Sequence, residues 1–199
     1  MRQAAVLAVL LGFVCAPGSR AADMKTDDDG FVHHWLILAP LPLADGQSGA
    51  EGLDQQQVKD EAKLKPKEGD TAKAGDKTLK WTKHEAGEHF IDFNALLGGQ
   101  TEDAVAYAVC YVVADKPMKG VKLKMGSDDQ SKVYLNGKQV LKNTEARSLD
   151  KDQDTSDPVE LKEGTNVIVF KVVNEKVDFS GCLRLVDESD KPIAGMKVG

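Results

Sequence analysis

From residue 31 onward, short apolar runs alternate with polar positions or stop at Gly, Pro and Asn every few residues, a pattern that predicts strands far more than helices. Phe31 to Ala39 is apolar around Trp35 until Pro40 and Pro42 stop it, predicting a first strand. Leu53, Val58 and Ala62 recur at helical spacing with Asp54 as the capping residue, predicting one short helix near the N-terminus, over 53–64, that Pro66 ends. Residues 44–52 read as a loop, and about 65–78 as a flexible one rich in Lys, Asp and Gly. Leu79–Lys83 and His89–Phe93 predict two short strands around a turn at Ala86-Gly87. Ala104 to Val113 carries no charge, and its even positions (Ala104, Ala106, Ala108, Cys110) are small while its odd ones (Val105, Tyr107, Val109, Tyr111) are large. That is a central strand covered on both faces, one of which admits close approach. Val121 to Met125 alternates with Lys122 and Lys124, so one face enters the core and the lysines meet water. Asn136-Gly137 between Lys132–Leu135 and Lys138–Leu141 is a two-residue hairpin signal. Val159–Leu161, Asn166–Val173 (Ile168, Phe170 and Val172 inward) and Phe179–Val186 complete the set. The fold class is all-β, a β-sandwich with one short helix.

The N-terminus follows a different rule. Arg2, the apolar run Ala4–Val14, the break at Pro17-Gly18 and the small residues of Ser19-Arg20-Ala21 form a signal-peptide pattern with cleavage after Ala21. The run is shorter than the ~20 residues that span a bilayer, and with no second such run the expectation is not an integral membrane protein. Val14 before Cys15 fits a lipid-attachment site poorly, so plain export to the periplasm or outside is expected rather than an anchor through Cys15. Residues 22–30 read as a disordered lead and 31–199 as a single domain. Export makes a disulfide between Cys110 and Cys182 an option; two buried free thiols are the other, and spacing leaves both open.

Charge removes one class of partner. The net charge is −6, and it becomes two units more negative once Arg2 and Arg20 leave. Such a surface repels phosphate backbones, which argues against nucleic acid.

Candidate chemistry lies in the loops. Asp128 and Asp129 at a turn can accept hydrogen bonds from vicinal sugar hydroxyls or ligate Ca²⁺, or they can cap the turn itself. Asp150, Asp152 and Asp154 alternate as at the start of a Ca²⁺ loop, but Thr155 and Leu161 stand where an EF-hand needs Gly and Glu. Arg147 could bind sugar hydroxyls, or pair with Asp152 or Asp154 to pin the loop. Trp81 and Tyr134 could stack on a sugar or be buried, whereas Tyr107 and Phe170 read as core. His84-Glu85 and His89 miss the zinc-protease spacing and read as facing each other across a hairpin; the adjacent His33 and His34 would point to opposite faces of a strand. No nucleophile elbow, phosphate-cradling Gly loop or Cys with a base is evident, so no enzyme activity is expected.

From Trp35 to Leu185 the chain resembles exported bacterial modules with a galactose-binding-domain-like jelly-roll fold, similar to sugar-binding domains appended to glycoside hydrolases. The resemblance rests on Trp35-Leu36-Ile37-Leu38-Ala39-Pro40, Ala104–Ala108, Gly126-Ser127-Asp128-Asp129 with Val133-Tyr134-Leu135-Asn136-Gly137-Lys138, then Arg147, Asp152-Gln153-Asp154, Leu161, Gly164, Asn166 and Lys171, and Phe179–Leu185. Gln130 stands where a Gly usually follows the paired aspartates, and Phe179 where a Trp usually opens an aromatic cluster. The resemblance implies a jelly roll and a carbohydrate as ligand class. The expected function is therefore a non-catalytic module binding polysaccharide or glycoconjugate through Asp128, Asp129, Arg147 and Asp152, with Ca²⁺ as an optional loop-holding cofactor. The alternative is a structural or protein-interaction module that engages envelope proteins without sugar.

Overall fold

The structure, a computed structural model, describes residues 24–199. The signal-peptide and Cys15 expectations lie outside those residues. The described chain is an antiparallel β-sandwich. The strands are β1 (His34–Pro42), β2 (Thr71–Ala74), β3 (Lys77–Lys80), β4 (Thr82–Glu85), β5 (Ile91–Asp92), β6 (Ala104–Ala114), β7 (Met118–Asp128), β8 (Ser131–Leu135), β9 (Lys138–Asn143), β10 (Asp154–Thr155), β11 (Val159–Leu161), β12 (Gly164–Asn174), β13 (Ser180–Val186) and β14 (Lys197–Val198). The first sheet runs β4-β1-β6-β12-β8-β9, with β14 also beside β6. The second runs β10-β7-β13-β5, with β11 also on β7. Both size classes on β6 find their use. The small even positions face the second sheet, opposite Leu123, Met125, Leu183 and Leu185. The large odd positions join Leu38, Leu53, Trp81 and Val169 in a separate apolar layer on the sheet's outer side. The Asn136-Gly137 turn closes the β8–β9 hairpin with both residues at positive φ, as its sequence predicts.

Several local expectations change. The predicted helix 53–64 is instead α1 (Gly49–Asp54), capped by Ser48 with Glu51 reaching back in a capping box, so Asp54 ends the helix rather than starting it. It stops there because lysines from the sheet occupy its terminal carbonyls: Lys132 Nζ donates to Leu53 O at 3.0 Å, and Lys171 Nζ donates to Leu53 O at 2.9 Å and Gln55 O at 2.6 Å. β5 (Ile91–Asp92) falls within the predicted strand His89–Phe93, and a second helix, α2 (Phe93–Leu97), follows it. Asp92 caps α2 and Gly98 closes it with a left-handed residue. Part of the predicted 65–78 loop forms the β2–β3 hairpin. β4 and β5 belong to different sheets, so His84 and His89 do not face each other across a hairpin. Trp81 and Tyr134 are both buried, which removes them as stacking surfaces.

Residues 24–30 are not a free lead. Lys25 bridges Lys197, Thr26 is buried against Ile193 and Met196, and Phe31 bridges Arg184. Asp27 Oδ1 accepts from the amides of Asp29 at 3.0 Å and Phe31 at 2.7 Å, and Oδ2 meets His33 Nε2 at 2.9 Å. The other His33 ring nitrogen meets Ala86 O at 2.9 Å, so the protonated ring satisfies both partners. Burial lowers the His33 pKa, but Asp27 and Ala86 outweigh it and the net shift is upward. A raised pKa stabilises fully below the unfolded value of ~6.5 and is lost as pH rises through the folded value. His33→Gln should therefore lower stability by up to about 1 kcal/mol at pH 5.5 and by less at pH 8.5, read from urea midpoints. An equal difference at both pH values would sink the assignment.

The two cysteines are free thiols, which resolves the open choice against the disulfide. Cys110 points between the sheets. Strand alternation puts Cys182 on the outer face of the second sheet, because its neighbours Leu183 and Leu185 face inward. Burial pushes the Cys182 thiol up to about 11 and Cys110 higher still, so neither is a poised nucleophile.

Candidate functional site

The predicted site residues divide by partner. Asp129 is held by the backbone: its Oδ1 accepts from Arg147 N at 3.2 Å and its Oδ2 from Glu175 N at 3.0 Å. Its carboxylate ties the end of β12 to the loop after β9. Arg147 pairs with Asp154 and donates to Ser127 Oγ at 3.3 Å, pinning that loop. Asp152 pairs with Arg184 on the outer face of the second sheet, its Oδ1 accepting from Arg184 Nε at 2.7 Å. Asp150 is exposed and accepts only from the adjacent Lys151 amide, at 2.7 Å. The three carboxylates considered for Ca²⁺ thus do not share a centre. Two of them answer arginines, and among the described residues no three Asp, Glu, His or Cys side chains are gathered to hold a metal. Lys122 and Lys124 share this face and are not free in water: both pair with Asp190, at 2.8 and 3.1 Å.

Asp128 differs. It is the last residue of β7, on the outer face, and the strand register sets Ser180 of β13 opposite it and Asp92 of β5 opposite Ser180. Paired residues share a face of a sheet, so Asp128, Ser180 and Asp92 form one row across three strands. That row floors an open pocket of about 360 Å³, walled by Phe90, Asn94, Ser148, Leu149 and Asp178. The Asp128–Asp129 peptide is cis. Burial first, then the charges of Asp129 and Asp178, raises the Asp128 carboxyl to about 6 against a weaker opposing bond from the Leu149 amide. No basic group offsets them. With a folded pKa above its unfolded one, Asp128 favours the fold below ~3.8 and loses that contribution as pH rises through about 6. At neutral pH its ionised form is therefore a cost to the fold, only partly offset by the Leu149 amide.

One further group resembles catalytic chemistry at first sight. On the outer side of the first sheet, buried Glu61 accepts from Tyr134 Oη at 2.7 Å, from Tyr107 Oη and from Lys171 Nζ at 3.2 Å. Burial pushes Lys171 down to about 8, with Glu61 pulling the other way. The cluster has no open side. Lys171 is fully enclosed and donates three bonds, two of them to main-chain carbonyls at the end of α1. It clamps the segment 53–61 to the sheet.

No family model matches the sequence, and no curated protein matches it. Among solved structures, the chain is similar to a PA14 sugar-binding domain from an RTX adhesin, at 10% identity and a TM-score of 0.35, covering 84% of this chain and 74% of that one. It is also similar to a β-glucosidase from Kluyveromyces marxianus in complex with glucose, again at 10% identity and a TM-score of 0.35, over 66% of this chain but only 15% of that one. Both are likenesses of coarse β architecture.

Proposed function

We propose that this domain is a non-catalytic binding module for carbohydrate, acting after export, and that a neutral saccharide sits in the pocket floored by Asp128. The observation that carries the reading is a buried carboxylate with no cationic partner, opening onto a pocket lined by hydroxyl, amide and carboxylate groups and by Phe90 and Phe179. Sugar hydroxyls donate to such carboxylates, the Asn94 and Ser148 side chains can both donate and accept, and Phe90 offers an apolar wall to the C–H face of a ring. Equilibrium hydrogen bonding is the mechanism; Asp129, Arg147 and Asp152 act by holding the loops that frame the pocket.

Affinity electrophoresis of the purified protein through a panel of neutral polysaccharides tests it. Retention by at least one is expected, unchanged between Ca²⁺ and EDTA because Asp152 and Asp154 answer arginines. Asp128→Asn should weaken retention at least about tenfold, the loss of a charge-assisted hydrogen bond, while leaving stability at pH 7.5 equal or higher. Retained glycan should be recovered at its original length. No retention on the whole panel, unchanged retention of Asp128→Asn, or shortened glycan would each defeat the reading. A single stoichiometric envelope protein captured without glycan would favour the interaction module instead.

A further inference from the structure

A second concavity lies on the other broad face of the sandwich. It has a volume of about 550 Å³, larger than the Asp128 pocket, and lies where the 61–66 segment, the β8–β9 turn and the β11–β12 turn converge. Three lysines line it, Lys63, Lys65 and Lys162, and no aspartate or glutamate does. Each lysine is exposed, and none makes an ion pair among the described residues. Some surface lysines find carboxylates, such as Lys83 with Glu68 at 3.1 Å and Lys142 with Asp54 at 2.8 Å, and others, such as Lys59 and Lys116, pair with none among the described residues; what sets this hollow apart is that three gather in one lining without a carboxylate. Three unanswered cations around one hollow run against the acid excess of the whole chain.

The framework beneath the lysines is fixed. Tyr111 Oη donates to Pro66 O at 2.6 Å, which ties the segment carrying Lys63 and Lys65 to β6 and holds the ring in place. With its hydroxyl engaged, Tyr111 contributes its ring to the lining, beside Val167, its partner on β12. Lys162 sits in a turn clipped by Asn166, whose Oδ1 accepts from the Lys162 amide at 3.0 Å and whose Nδ2 donates to Lys162 O at 2.8 Å. Asn136, on the opposite lip, has its side chain bonded to Asn166 and to the Val167 amide, so it adds no competing charge. Gly137 beside it brings the turn within contact of the Lys63 side chain, a Cβ there standing 3.4 Å from Lys63 Cγ.

We propose that this hollow binds an anionic saccharide, a sugar carrying carboxylates, with its ring against Tyr111 and Val167 and its charge among Lys63, Lys65 and Lys162. A bare inorganic anion would use the lysines and leave the aromatic wall idle. A neutral sugar would use the wall and leave the lysines unanswered. The space accommodates more than one small ion, and a carboxylated ring uses both features. The site is independent of the Asp128 pocket. Tyr111 pairs with Val167 near the start of β12, and Asp129 bonds Val173 near its end, so they lie about 20 Å apart by the usual strand rise.

Isothermal titration of the purified protein with trigalacturonate, a neutral galactose trisaccharide and inorganic phosphate tests it, each at 20 and 200 mM salt. Trigalacturonate should bind more tightly than the other two, and more weakly at the higher salt, because exposed charges are screened. Lys63→Gln and Lys162→Gln should each weaken it about fivefold and Tyr111→Leu about tenfold, while Asp128→Asn leaves it unchanged. Equal affinity for the neutral trisaccharide, equal or tighter binding of phosphate, indifference to both lysine substitutions, or loss of binding in Asp128→Asn would each overturn the proposal. Because the Asp128 pocket is probed with neutral glycans, the two sites can fail separately.

Discussion

Glu61→Ala should destabilise the domain by about 3–5 kcal/mol, the range seen when one partner of a buried ion pair is removed. Lys171 is enclosed and its ammonium would keep only two carbonyl partners, while Tyr107 and Tyr134 would each lose the carboxylate acceptor that Glu61 provides. The lysine must then either stay charged in an apolar layer or shed its proton, and both options cost free energy. Replacing both members, Glu61→Leu with Lys171→Met, should recover most of the loss, because the penalty comes from the orphaned charge rather than from the absence of a bond. Urea unfolding of the two variants beside the parent decides it. A cost below about 1 kcal/mol for Glu61→Ala would mean that the network is not what fastens α1 to the sheet.

The second large effect is expected at Gly126. A Cβ there would stand 1.8 Å from Asp150 O and 3.1 Å from Cys182 Sγ, so the main chain of the 147–154 loop would have to move. That loop is fastened by Arg147 to Asp154, by Asp152 to Arg184 and by Gln153, which accepts from the Ser127 amide at 3.1 Å and donates to Ser148 O at 2.9 Å. Gly126→Ala should cost about 3 kcal/mol as an overpacked site. It should also speed tryptic cleavage after Lys151 and displace Ser148 and Leu149 from the Asp128 pocket, so neutral-glycan retention falls with stability. Gly87→Ala, where a Cβ meets nothing within 4 Å, is the control and should behave like the parent.

The sandwich is readable in the sequence because its signals are local. The size alternation along β6 announces two differently covered faces, and Asn136-Gly137 announces its hairpin. What escapes is whatever depends on pairing across long separations. Glu61 and Lys171 lie 110 residues apart, and neither stands out alone; a lysine inside the apolar run Val167–Val173 is the single hint. The α1 boundary is misread for the same reason, since distant lysines cap its carbonyls. Asp128 is legible as half of a loop pair. Its pocket is not, because Asp92 and Ser180 reach it through strand register, and Asp129, its twin in sequence, is turned to the backbone.

The anchored stretch 24–31 has a consequence for how the molecule is made. Its hydrogen-bonding partners include Leu185, Ile193, Gly195, Met196 and Val198, and the two bonds of the Thr26 side chain span 167 and 170 residues. Residues 24–31 must therefore wait, unpaired, until residues 185–198 have been made. Contacts of such large separation slow closure and prolong the interval in which open strand edges can find wrong partners. This edge of the domain stays open until residues 185–198 arrive to close it.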